Sequence, residues 1–255
     1  MNYYNENDPK AAAWLRELIK AKHIALGDVD ERSIEDVLPN DLKSYTQCHF
    51  FAGIGGWSYA LRLAGWPDDL PVWTGSCPCQ PFSLAGKGDG VTDERHLWPA
   101  WFHLCRICKP ERIFGEQVAN ALSWFDLVSS DLESEGYAVG AAIMGAHSVG
   151  APHRRQRLYW VGHSVGDRLQ GSANENVRGA WRGEERGETG CASSALWADC
   201  EWLPCADGKA RPVEPGTFPL AHGVPNRVGL LRGYGNAIVP QVAAAFVTAY
   251  LDTLS

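Results

Sequence analysis

The run TQCHFFAGIGGWSYALRLAG, residues 46–65, constrains the fold more than any other stretch of this 255-residue chain. Its first part is apolar without the alternation of a half-exposed strand, so it reads as a strand buried on both faces. Gly53, Gly55 and Gly56 then supply a tight turn, and WSYALRLAG continues as a helix with Gly65 at its C-terminal stop. A buried strand that turns directly into a helix is the repeating unit of a parallel sheet covered by helices.

The same alternation runs through most of the chain. Asp8-Pro9 reads as an N-cap and first helical residue, with Ala11, Trp14, Leu15, Leu18 and Ile19 on one helical face. VWTGSCP reads as a short strand, and QPFSLAGKGDGVTDERH as a long polar connection of the kind that serves as a lid. Leu97, Trp101, Leu104, Cys105 and Cys108 mark a helical face that Pro110 ends. RIFGEQV reads as strand, ALSWFDLVSSDLESEG as helix, and YAVGAAIM and RLYWVG as strands. From His163 the chain is polar and glycine-rich without a sustained period, apart from a hairpin expected between Trp202 and Val213 around Asp207-Gly208. A last helix follows Pro240, with Val242, Ala245, Phe246, Ala249 and Tyr250 on one face.

The expected fold is therefore α/β, a parallel sheet with helices on both faces. Residues 1–162 and 224–255 form its main domain, and 163–223 a small irregular insertion. No internal repeat is present. At 45% hydrophobic the chain can bury one sizeable core. No apolar run approaches the roughly 20 residues that span a bilayer, and the N-terminus MNYYNENDPK lacks signal-peptide features, so a cytoplasmic location without membrane contact is expected. Eight cysteines in such a chain point to reduced, buried or catalytic thiols. A net charge of -7 argues against bulk coating of nucleic acid and leaves only local basic clusters to contact phosphate.

Four short segments carry chemistry. FAGIGG, between strand and helix, allows a ligand to approach the backbone closely, and Phe51 before it is either a core residue or a stacking face. Cys79, in PCQPFS, stands where a strand gives way to a loop; it is a nucleophile or a small buried residue. Cys77 and Cys79 with Cys105 and Cys108 make four thiols, but the amphipathic stripe of a helix already explains the second pair, so no metal is expected. Glu116 ends the apolar strand of IFGEQV, where burial can raise a carboxyl pKa. His153, Arg154, Arg155 and Arg157 form the basic cluster HRRQR ahead of LYWVG.

Taken in this order, FAGIGG, PCQPFS, GEQV, HRRQR and the later YGNAIVP resemble the motifs of the cytosine C5 DNA methyltransferases. The resemblance covers most of residues 46–162 and 230–252, and it implies a Rossmann-like S-adenosylmethionine-dependent methyltransferase domain. It implies Cys79 as the thiolate that attacks cytosine carbon 6, Glu116 as the group on N3 and the exocyclic amine, and Arg155 and Arg157 as the charges that orient the base. Cofactor contacts are implied for Phe51, Gly53, Gly55, Gly56, Leu97 and Asn236. Gln80, Ser83, Lys87, Arg154 and Arg168 are implied to contact DNA, with base flipping and a lid around Gly86, Lys87 and Gly88. The partner is double-stranded DNA and a monomer is expected. An RNA-directed branch of the same family, or a non-catalytic DNA-binding relative, is the alternative. The chain departs from the family at Gln117, where Asn is usual, at His153, where Gln is usual, and at His49, where an acidic residue is common.

The 22 residues from Trp57 to Pro78 leave no room for two further cofactor motifs that family members place there. NENDPKAAAWLRELI, residues 5–19, resembles the first, and RSIEDVLPNDL, residues 32–42, resembles the second. Both precede the glycine loop, which implies a rearranged chain whose N-terminal strand, helix and strand complete the sheet. A parallel sheet tolerates this, since each strand needs only a right-handed crossover to its neighbour. On this reading Glu6 holds the ribose, and Ser33 and Ile34 meet the adenine.

Overall fold

A computed structural model describes residues 1–78, 97–151, 153–164, 201–204, 210–213 and 237–254. The chain begins with strand β1 (Asn2–Asn5), helix α1 (Pro9–Lys20) and strand β2 (Gly27–Asp30). A 3-10 turn at Ile34–Asp36 and the short α2 (Pro39–Leu42) lead to β3 (Gln47–Phe50), α3 (Gly56–Leu63) and β4 (Val72–Gly75). Then come α4 (Trp98–Cys108), β5 (Arg112–Val118), α5 (Leu122–Ser134), β6 (Tyr137–Met144) and β7 (Arg157–Ser164). β8 (Glu201–Pro204) and β9 (Ala210–Val213) pair as the expected antiparallel hairpin, and α6 (Pro240–Asp252) is the last helix.

Seven strands form one sheet in the order β2-β1-β3-β4-β5-β7-β6. The N-terminal strands complete one side of this sheet, β2 at its edge and β1 paired in parallel with both β2 and β3, Tyr4 facing Val29 on one side and His49 on the other. The rearranged chain order read from the sequence is thus the order of the fold. One expectation fails. The sheet is mixed, because β7 runs antiparallel to both β5 and β6. The period of RLYWVG marks a buried strand, but a buried strand carries no mark of its direction.

Helices α1, α3 and α6 cover one face, α2, α4 and α5 the other. Asp8 caps α1 as read, its carboxylate accepting from the backbone N–H groups of Lys10 and Ala11. The buried side of α1 is Ala12 and Leu15, with Trp14 exposed at its shoulder, so the face inferred from spacing is rotated by part of a turn. α6 likewise buries Val242, Ala243, Phe246, Val247, Tyr250 and Leu251 and leaves Ala249 outside. On the α4 face, Trp98, Trp101, Trp124 and Trp160 pack edge to face or tilted, with centroids 5.6–6.2 Å apart. Gly75 and Gly115, paired across β4 and β5, make room for them: a Cβ on Gly75 would sit 2.6 Å from Trp101, and one on Gly115 2.0 Å from Trp160.

Candidate active site

The parallel strands deliver their C-terminal ends to one edge of the sheet, where α/β proteins place their ligands. Glu6 leaves the end of β1 there, beside the glycine loop that leaves β3. Its Oε2 accepts from Gly53 N–H at 2.7 Å and its Oε1 from Asp8 N–H at 2.9 Å. Ala52 N–H donates to the Asn5 carbonyl at 3.0 Å, so two segments 47 residues apart in sequence are laced at the backbone. Phe51 and Gly53 both adopt positive φ, 50° and 55°, and Gly55 at 79° caps the start of α3.

The three glycines differ in what they face. A Cβ on Gly53 would meet nothing within 4 Å, which leaves room for a ligand against the backbone. On Gly55 it would press on Ile24 and Leu15, and on Gly56 it would lie 2.7 Å from Ile238, so these two are also set by packing. Phe51 is half-buried, edge-on to Trp101 at 5.9 Å. Ser33 caps the 3-10 turn through Glu35 N–H, Ile34 is buried in the α4-face core, and Leu97 packs against that core at the start of α4. Asn236 lies outside the described residues, next to Ala237.

The second half of the site gathers at the ends of β4 and β5. Glu116 is 7% exposed, and its Oε1 receives Arg157 Nε at 2.9 Å. The direction of β7 makes this pair possible: a strand antiparallel to β5 begins where β5 ends, so Arg155 and Arg157, just ahead of and at its first residue, land beside the carboxyl. Burial pushes the Glu116 carboxyl above its ordinary range, against Arg157, Arg155 and a hydrogen bond from Ser76, which pull it down. Desolvation weakens the Arg155 cation in turn. Arg155 takes φ 29°, a strained value for a side-chain-bearing residue, and Nη2 donates to the Ala237 carbonyl at 2.5 Å. Arg154 and His153 are exposed.

Cys79, Gln80, Ser83, Lys87 and the lid expected around Gly86, Lys87 and Gly88 lie outside the described residues, as do Arg168 and the rest of 165–200. What leads to Cys79 is described up to Pro78. Cys77 is a buried core residue, and its carbonyl accepts from Gln117 Nε2 at 2.9 Å. The glutamine at this position therefore anchors the segment two residues before Cys79. Sequence reasoning missed Ser76 and Trp57. The strand register alone could have placed Ser76, since Gly75 pairs with Gly115 and the next residue of each strand is Ser76 and Glu116. On the α1 face, a cavity of about 900 Å³ lies beside the glycine loop, lined among others by Trp14, Ile54, Tyr59, Arg155 and Arg157.

A mixed seven-stranded sheet with this glycine turn and these strand ends is an α/β, Rossmann-like fold. Residues 66–182 match the family model of C-5 cytosine-specific DNA methylases. Among curated relatives, the type II methyltransferase M.NgoBI of Neisseria gonorrhoeae is 33% identical over 109 residues, 38% of this chain and 34% of that one. M.HgiCII of Herpetosiphon aurantiacus is 25% identical over 164 residues, 48% and 38% of the two chains. The chain thus spans about a third of the length of these relatives. Among solved structures, Entamoeba histolytica methyltransferase EhMeth gives a TM-score of 0.40 at 17% identity, covering 64% of this chain and 52% of that one. S. pombe Dnmt2 gives 0.40 at 15%, covering 68% and 56%. By this match and these curated relatives, residues 66–182 of the chain are similar to the C-5 cytosine-specific DNA methylases.

Proposed function

We propose that this protein transfers the methyl group of S-adenosylmethionine to carbon 5 of cytosine in DNA, through a covalent bond between Cys79 and carbon 6 of a base swung out of the duplex. The observation that carries this reading is the buried Glu116–Arg157 pair beside the segment that enters Cys79. Cytosine presents the N3 acceptor and the exocyclic amine on one edge. A carboxyl held above its ordinary pKa can give a proton to N3, and its charged form can accept from the amine. Either contact draws electron density out of the ring and favours attack at carbon 6. The sulfur–carbon 6 bond would form as the carbon 5–carbon 6 double-bond electrons move to carbon 5, which could then take a methyl group whose bond pair stays on the donor sulfur. Loss of the carbon 5 proton to a solvent base and return of the sulfur–carbon pair to Cys79 restore the ring. Arg157, with Arg155, orients the base and favours the thiolate.

When bound, S-adenosylmethionine supplies an electrophilic methyl on a positively charged sulfur. The residues fit such a group: Gly53 opens on free space, Glu6 faces it with a carboxylate suited to ribose hydroxyls, and Phe51 offers a half-buried ring. Gly55, Gly56, Ser33, Ile34, Leu97 and Asn236 complete this side. DNA is held by Gln80, Ser83, Lys87, Arg154 and Arg168, with 163–223 as the target-recognition region and 1–162 plus 224–255 as the catalytic domain. The active species is a cytoplasmic monomer; among the described residues no helix is long and apolar enough to cross a membrane.

The test is a fluorocytosine trap in matched DNA and RNA duplexes with labelled cofactor. A covalent complex on DNA is expected for wild type and for Cys77→Ala within a few-fold, and none for Cys79→Ala. Persistence of the complex in Cys79→Ala would overturn the nucleophile, and label on RNA alone would overturn the substrate.

A further inference from the structure

The indole of Trp57, the first residue after FAGIGG and buried under β4 and β5, donates from Nε1 to Ser76 Oγ at 3.1 Å. An indole N–H can only donate, so the serine oxygen is fixed as acceptor in that bond. The single hydroxyl hydrogen of Ser76 is then left to point elsewhere. The β4–β5 register sets Glu116 beside it, so that the carboxyl is the neighbouring acceptor for this hydrogen, and the serine favours the charged carboxyl. Side chains from α3, from the residue after β4 and from β5 are thus ordered for a one-way relay, with the indole N–H on the serine oxygen and the serine O–H free to turn to the carboxylate.

We propose that Ser76, oriented by Trp57, is the positioning residue that aims the Glu116 carboxyl at the base and sets the balance between its charged and neutral forms. This rests on the reading of Glu116 as the group that meets the cytosine edge. The relay favours the carboxylate, because a serine hydrogen aimed at Glu116 needs an acceptor there. Burial favours the acid. Among the described residues, the other charged or titratable groups that face Glu116 are Arg157 and Arg155 and, across the β5–β7 register, Tyr159. The arginines also favour the carboxylate, but they come from β7 and the segment before it. Ser76 is the contact that ties the carboxyl to the strand leading into Cys79. Chemistry at the base needs both forms within reach, and a fixed donor on one oxygen holds the group at that balance without moving a charge.

The experiment is the pH profile of single-turnover methyl transfer by the full chain, with folding checked by circular dichroism. Loss of a hydrogen bond to a charged group amounts to about a tenfold change in the proton equilibrium, so Ser76→Ala should move the Glu116-dependent limb upward by about one pH unit. Ser76→Thr should restore the limb, and Trp57→Phe, which keeps the ring and loses the N–H, should move it part of the way in the same direction. Cofactor affinity should stay unchanged in all three. A limb that is absent in Glu116→Gln but unmoved in Ser76→Ala and Trp57→Phe overturns the positioning role and leaves the Glu116 reading standing. A limb that persists in Glu116→Gln overturns both.

Discussion

His49 shows how a departure from the family pattern is absorbed at a single position. Its ring is wholly buried between Tyr4, stacked at 4.8 Å, and Thr74, whose Oγ1 lies 2.8 Å from Nδ1; Nε2 has no hydrogen-bond partner among the described residues. Burial of this kind disfavours the cation and lowers the pKa from 6.5 to about 3. The unfolded chain takes up a proton below about pH 6.5 and the folded one does not until about pH 3, so the contribution of His49 is full above 6.5 and is lost as pH falls toward 3. At about 1.4 kcal/mol per pH unit the loss is about 5 kcal/mol. In urea unfolding, the stability difference between wild type and His49→Asn should be flat above pH 6.5 and shrink steadily below it; a difference independent of pH down to 4 would refute the assignment. Glu116 was legible as a type in the sequence, an acid at a strand end. The neutral, two-sided burial of His49 was not, because it depends on β1 becoming the neighbour of β3.

Strands and helices were legible wherever one period ran unbroken. RIFGEQV is β5 to the residue, and Asp8-Pro9 opens α1 as read. What local pattern does not carry is direction and azimuth: β7 gives no sign of running backwards, and the buried side of α1 is turned away from Trp14. Nor does it separate glycines that bend the chain from glycines that admit a neighbour. Gly115 reads as an ordinary strand residue, yet its missing Cβ is the space Trp160 fills. Gly115→Ala should therefore cost about 3 kcal/mol by overpacking, measured by urea unfolding. Gly53→Ala meets no atom, and its cost should be only the 1–2 kcal/mol or so of the left-handed backbone. Equal losses at the two sites would contradict this division.

The whole molecule is built on an N-terminal unit that forms one side of its sheet, with β2 as the edge strand. β1 holds β3 on one side and β2 on the other, so removing residues 1–45 would strip β3 of a partner strand and uncover Phe50 and His49, both buried. The fragment 46–255 should fail to give a cooperative unfolding transition alone and should regain one when 1–45 is supplied in trans; a stable fragment on its own would show that the N-terminal strands are accessory. The sequence carried this arrangement only through the resemblance of residues 5–19 and 32–42 to misplaced motifs, since no local pattern reports which strand pairs with which. Its consequence is a seam in the chain. Glu6, Ser33, Ile34, Phe51 and the three glycines all fall within the first 56 residues, whereas Ser76, Glu116, Arg155 and Arg157 all fall beyond residue 75. On the proposed function, a mutational map should divide into two blocks at the connection between α3 and β4, with Leu97 as the one residue assigned to the methyl-donor side beyond it among the described residues, changes on one side weighing on methyl-donor affinity and changes on the other on turnover.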